Sequence, residues 1–300
     1  MSLQKPFGLT FAALLCTVSF ACLSQAGLSR GAEIADDQSS GASPAKSRSF
    51  TDTLIADGRS FGEISVRMCL APFHANGKEL LEAAGLVGVV ALSSTLDRQI
   101  RKDMSKLDRP WAETVSDVGH VYQSTYVTFA AATALYGYGW WRDNPAIRRL
   151  GLEVIEAFEI SGIGTSLLKH LVGRDRPFVE RGPYHFVGPN WDSDDHLSFV
   201  SGDVTKAFAL TSVLSAEAKS VPVTILLYSL ATATSFQRLH ADRHWFSDTV
   251  GAAVWGTAVG LGVVHLNRRA AQTRVRFSAN PSGGSINLAV VFRLSSVRSI

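Results

Sequence analysis

From Lys78 to Asn267 the chain reads as a run of apolar stretches too long for strands and separated by short polar breaks. The stretches are 83–96, 118–141, 160–168, 207–216, 221–237 and 249–267. Apolar segments of that length, recurring without strand alternation, demand helices packed on helices. The prediction is therefore an all-α fold, a helical bundle of about six core helices spanning 51–270. The tail changes period. Val275 and Phe277, then Ile286, Leu288, Val290 and Phe292, alternate with polar residues around the turn Asn280-Pro281-Ser282-Gly283-Gly284. That pattern predicts a small C-terminal β-hairpin within 271–300, packed on the bundle because a hairpin alone is marginal.

The amino terminus has the order of a targeting signal. Lys5 is followed by an apolar run from Phe7 to Leu23 and by Ser24-Gln25-Ala26, with small residues where a signal peptidase reads. The expected organisation is a signal peptide at 1–26, or an uncleaved anchor there, and a disordered Ser/Ala/Gly/Asp-rich linker at 27–50. Loss of 1–26 removes Cys16 and Cys22 and leaves Cys69, expected as a small core residue, without an intramolecular disulfide partner. A net charge of +3, with no basic stripe, argues against a nucleic-acid partner.

Membrane placement is a separate question. The stretch 160–168 is short, preceded by Glu153, Glu156 and Glu159 at helical spacing and ended by Lys169. The stretch 207–216 is short and bounded by Lys206 and Glu217. Both suit a soluble bundle better than a span of ~20 residues. The expectation is an exported helical domain, soluble or attached to a membrane surface, over a protein of six spans. Such a domain would face the periplasm.

Three charged clusters interrupt the apolar pattern. Lys169, Arg174, Arg176 and Pro177 stand at a predicted helix end, where Pro177 stops the helix and holds Arg176 in an extended exit. By themselves these cations also suit the negative end of a helix dipole. Ser201 is a candidate N-cap, with Asp203 in the first turn and Lys206 three residues on, a pattern that by itself reads as a well-capped helix. Arg238, His240, Arg243, His244 and Asp248 form the third cluster. His244 and Asp248 lie four apart, so a helix start puts both on one face, and a carboxylate there can orient an imidazole. His240 and His244 also have ligand spacing, but Arg238 and Arg243 repel a cation, and no metal or other cofactor is implied.

The order and spacing of these clusters resemble the phosphatidic acid phosphatase type 2 and vanadium haloperoxidase superfamily, whose signature reads K-x6-R-P, then P-S-G-H, then S-R-x5-H-x3-D. Lys169, Arg176 and Pro177 match the first part, and Arg238, His244 and Asp248 the third, with Gln237 in place of Ser. Val200-Ser201-Gly202-Asp203 stands for the second, so that Val replaces Pro and Asp203 replaces the His that protonates the leaving group. The resemblance implies a phosphatase acting on a phosphate-bearing small molecule or lipid. Lys169, Arg176, Arg238 and the backbone N–H groups of Ser201 and Gly202 would bind the phosphoryl oxygens. His244 would be the nucleophile, Asp248 would fix its tautomer, and Asp203, or His196 or His240 in its place, would serve the leaving group. Two other readings are a weak or inactive member that binds phosphate or lipid headgroups, and a vanadate-dependent haloperoxidase. The stretch from Phe178 to Leu197, with Tyr184, His185, Phe186, Trp191, Asp192, Asp194 and Asp195, is either a substrate-reading lid or a structured surface loop.

Overall fold

A computed structural model describes residues 50–272 together with 276–280 and 287–291. The signal peptide and the linker expected before Phe50 lie outside them.

The described body is helical. The helices are α1 (Phe50–Leu70), α2 (Gly77–Ser93), α3 (Asp97–Met104), α4 (Pro110–Tyr122), α5 (Thr125–Trp141), α6 (Pro145–Val172), α7 (Gly202–Ala218), α8 (Val221–His240) and α9 (Phe246–Gln272). α9 packs chiefly on α7, α6 bridges α5 and α7, and α8 bridges α4 and α7. The α7–α9 approach is close because Gly256 and Gly260 lie at the crossing. A Cβ on Gly256 would stand 2.2 Å from the Thr205 carbonyl, and one on Gly260 2.6 Å from that of Ala209. One core, containing Val154, Ala157, Ala209, Val213, Val259 and Val263, fills the space between α6, α7 and α9. A second, with Val204, Phe208, Tyr228 and Ala252, lies between α7, α8 and α9.

Several sequence expectations need correction. The stretch 118–141 is two helices, because Ser124 breaks it and caps α5 by accepting from Val127 N–H. α6 runs for 28 residues rather than starting near Ile160. Asn144 caps it by accepting from the Ala146 and Ile147 N–H groups, and Pro145 occupies the first turn. Glu153 and Glu156 are fully buried in α6, so they do not mark a water-facing side, and that argument for a soluble helix falls. Cys69 is exposed rather than in the core. The hairpin is not supported as part of the fold. Arg276–Asn280 and Asn287–Val291 run antiparallel with Phe277 opposite Val290, but their main contact is with each other, and the turn between them lies outside the described residues. A lone two-stranded ribbon buries too little to count as an element of the packed body.

Two stretches, Gly77–Met104 and Phe246–Ala270, are long and apolar enough to cross a membrane. The second is mostly inside the bundle, whereas the first keeps Leu80, Leu81, Val87 and Leu92 at the surface. An apolar outer face of this kind fits association with a membrane.

Candidate active site

The site forms where the end of α6, the start of α7, the end of α8 and the start of α9 meet. α6 ends at Gly173, whose φ of +59° is a left-handed cap and whose N–H donates to the Lys169 carbonyl. A Cβ at Gly173 would lie 1.9 Å from the Gly188 carbonyl, so only glycine lets the following loop fold back at that point. Arg176 leaves in the extended conformation expected before Pro177.

The loop 173–200 is strapped down rather than free to swing. Asp175 N–H donates to the His185 carbonyl, Val187 N–H to Gly173, Arg176 N–H to Asp195, and Ser198 N–H to Arg174. Tyr184 donates to the Ser94 carbonyl, Trp191 stacks on His170, and Phe186 lies under Arg174. Of its acids, Asp194 reaches the cations. Its Oδ1 accepts from Arg176 Nη2 at 2.7 Å, and its carbonyl accepts from Arg176 Nε at 2.9 Å.

His244 is buried, with Nδ1 2.8 Å from the Ser198 carbonyl oxygen. A carbonyl only accepts, so Nδ1 carries the proton and Nε2 keeps its lone pair. Nε2 stands 3.4 Å from Arg176 Nη1. Burial pushes His244 down to about 4, helped by the charges of Lys169 and Arg176 and opposed by Asp248, so the ring is neutral at physiological pH.

Asp248 does not take the imidazole proton as the sequence implied. Its nearer oxygen is 3.7 Å from Nδ1. Its Oδ2 instead accepts from the Trp245 N–H at 2.8 Å and the Ser198 hydroxyl at 2.5 Å, and its Oδ1 accepts from Arg174 Nη1 at 2.6 Å. Asp248 thus stands beside the ring as a fixed negative charge.

Lys169, Arg176, Arg238, Asp194 and Asp203 share one electrostatic neighbourhood. Lys169 runs past the start of α7, its Cε 3.9 Å from where a Gly202 Cβ would be. Burial, then the charge of Arg176, lowers Lys169 to about 8. Burial also lowers Arg238, against the charge of Asp203. Asp203 lies 3.4 Å from Arg238 Nε, and Lys206 sits over the Phe158 ring instead of pairing with Asp203. Gly202 is the first residue of α7, where an N–H has no acceptor within the helix. The Ser201 N–H is not free in the same way, because it donates to the Asp248 carbonyl at 3.3 Å.

The two substitute histidines are held elsewhere. His196 Nδ1 pairs with buried Asp175. His240 contacts the Leu107 carbonyl and the Ser116 hydroxyl and stacks on Phe236, which removes it as a donor to the site.

Arg174, given no role of its own in the sequence, and Asp97 and Ser247, which the sequence did not single out, tie the site together. Buried Arg174 bridges Asp248 to Asp97, donating to Asp97 Oδ2 at 2.7 Å, and both guanidinium branches are fixed further by the Ser247 hydroxyl and the Pro183 carbonyl. Asp97 in turn accepts from the N–H and the hydroxyl of Ser247, each at 2.8 Å.

The PAP2 superfamily profile matches residues 150–272. Among solved structures, the crystal structure of Aquifex aeolicus LpxE aligns at 20% identity and a TM-score of 0.45 over 57% of this chain and 95% of that one. That of the first transmembrane PAP2 type phosphatidylglycerolphosphate phosphatase from Bacillus subtilis aligns at 18% identity and 0.45, over 72% of this chain and 96% of that one. No curated protein matches the chain. All three charged clusters fall inside the stretch, residues 150–272, that is similar to the PAP2 superfamily.

Proposed function

We propose that the chain is a phosphatase that hydrolyses phosphate monoesters, lipid phosphates among them, through a phosphohistidine on His244. The observation that carries this reading is the neutral, buried His244, whose Nε2 keeps its lone pair and faces Arg176. A nucleophile needs an unprotonated, oriented atom, and a phosphoryl group needs fixed positive charge around its oxygens. Lys169, Arg176, Arg238 and the Gly202 N–H supply that charge and those donors. Nε2 attacks phosphorus, the P–O bond to the leaving group breaks, and the ring becomes positive. Asp248, 3.7 Å from Nδ1, stabilises that positive ring. Water then attacks phosphorus and frees the histidine. The apolar outer face of α2 suits a protein that works at a membrane surface, and the amino-terminal signal suits a site facing the periplasm.

The test is turnover of a generic aryl phosphate and of a short-chain lipid phosphate, with a quenched-flow trap for acid-labile phosphate on protein. Wild type should turn over and carry the label, and His244→Ala should do neither. Turnover by His244→Ala equal to wild type would remove the covalent mechanism, and silence of wild type on both substrates would remove the phosphatase reading.

A further inference from the structure

Each of the two arginines at the site already holds a carboxylate. Arg176 pairs with Asp194, and Arg238 stands 3.4 Å from Asp203. The cations lie inward and the acids outward: the Arg176 and Arg238 side chains are 6% and 16% exposed, and those of Asp194 and Asp203 are 68% and 38% exposed. An incoming phosphoryl group therefore meets two carboxylates before it meets the guanidinium groups. Partial burial raises Asp194, but the hydrogen bond and charge of Arg176, with Lys169 and His244 behind it, outweigh this and hold the carboxyl below its ordinary value.

A phosphate monoester has two forms near neutral pH, a dianion and a monoanion, exchanging at a second ionisation of about 6. A carboxylate is acceptor-only. The dianion offers Asp194 and Asp203 no hydrogen and adds repulsion. The monoanion carries one P–OH, which can donate to either carboxylate, and it meets half the repulsion. We propose that the ion pairs Asp194–Arg176 and Asp203–Arg238 make the singly charged, protonated phosphate ester the form this site takes, and that the ester's own proton serves the leaving group.

This inference rests on the phosphatase reading and supplies what that reading lacks, since Asp203 is an ion-paired carboxylate where a proton donor is needed. The step balances. The His244 Nε2–P bond forms, the P–O bond to the leaving group breaks, and the phosphoryl proton moves to the departing oxygen. A neutral alcohol leaves, and the phosphohistidine keeps the single negative charge that entered. The proton stays on Nδ1, donated to the Ser198 carbonyl, throughout. The other charged groups facing the phosphoryl group do not replace this account. His244 titrates at about 4 and Lys169 at about 8, on either side of the ester. Asp248 is matched by Arg174, which is matched again by Asp97, and Arg243 is exposed against the Phe178 ring.

The experiment is kcat/KM against pH from 4.5 to 9 on the full chain, with an alkyl phosphate and an electron-poor aryl phosphate whose second ionisation lies lower. The expected profile loses tenfold per pH unit above the ester's second ionisation, and its midpoint shifts to lower pH for the aryl ester. A limb that stays at one pH for both esters, as loss of the Lys169 charge would give, overturns the inference while leaving the phosphatase reading intact. Asp194→Asn and Asp203→Asn should each raise kcat/KM at pH 8 about tenfold more than at pH 5. Equal gains at both pH values would mean that the acids only compete for the arginines, which also overturns it. No turnover of either ester at any pH removes the phosphatase reading and this inference with it.

Discussion

His244 Nδ1 lies 2.8 Å from the Ser198 carbonyl and 3.7 Å from the nearer Asp248 oxygen, so the backbone holds the ring proton and the carboxylate only faces it. When a carboxylate alone sets the tautomer, its replacement by an amide costs ~10⁴ in rate. Here the carbonyl keeps the tautomer, and Asp248 acts through charge and through its hold on Trp245 and Ser198. Asp248→Asn is therefore expected to lower kcat by only ~10–100-fold, the range for an outer-shell partner. Ser198→Ala keeps the carbonyl and loses one hydroxyl bond, and should cost less than tenfold. Steady-state kinetics with melting curves as a folding control check both. A loss of ~10⁴ for Asp248→Asn would mean that the imidazole turns to the carboxylate in the working enzyme.

Asp97 on α3 makes a second expectation. It lies outside the family-matched stretch, yet it holds Arg174, which braces Asp248, and Ser247, which accepts from Arg174. Removing one member of a buried ion network costs ~3–5 kcal/mol, because the remaining charge stays buried without its partner. Asp97→Asn should lower the Tm by roughly 2–4 °C per kcal/mol lost, and should lower kcat more than it raises KM, since the phosphate-binding cations are untouched. An unchanged Tm would show that Asp97 braces nothing.

How much of this was legible in the sequence follows from where the partners lie. Lys169, Arg176, Arg238, His244 and Asp248 carry fixed short spacings on helix ends, which a single sequence displays. The Arg174–Asp97 contact joins positions 77 residues apart, and the Ser198–Asp248 contact joins positions 50 apart, so no local pattern announces either. Arg174 was visible within the first cluster but indistinguishable from a cation satisfying a helix end. Asp194 was visible as one acid among several in a loop, and only folding selects it over Asp192 and Asp195. Helix type was read well and helix limits poorly. A polar residue that caps, as Ser124 does, looks the same as one tolerated in mid-helix, and buried Glu153 and Glu156 look the same as a solvated face.

Those two glutamates set a pH dependence. Burial raises Glu153 to about 8, reinforced by Glu217 and opposed by Arg149, and burial raises Glu156 to about 7 against a hydrogen bond from Asn267. A carboxyl whose folded pKa is raised binds its proton more tightly in the folded state. Its contribution to stability is complete below the unfolded value of 4.5 and is lost as pH rises through about 7 to 8. Glu153→Gln replaces the titrating acid with a neutral group of the same shape. Its Tm should match wild type at pH 5 and exceed it at pH 8.5, by ~2–4 °C for each kcal/mol recovered. A Tm difference that is the same at both pH values would place the Glu153 ionisation outside this window.

The last expectation concerns Asp203. General acid assistance is typically worth ~10²–10⁴-fold, and its value grows as the leaving oxygen becomes more basic. An aryl oxide departs with little help, whereas an alkoxide needs a proton. Asp203→His removes the carboxylate beside Arg238 and introduces a ring that can donate. Above the ester's second ionisation, where the dianion brings no proton of its own, the variant should gain at least ~10-fold more on an alkyl phosphate than on an electron-poor aryl phosphate. Paired rates at pH 8 decide it. Equal gains on the two esters would assign the effect to the lost negative charge alone. No gain on either would mean that Asp203 already assists the leaving group as efficiently as the histidine it replaces.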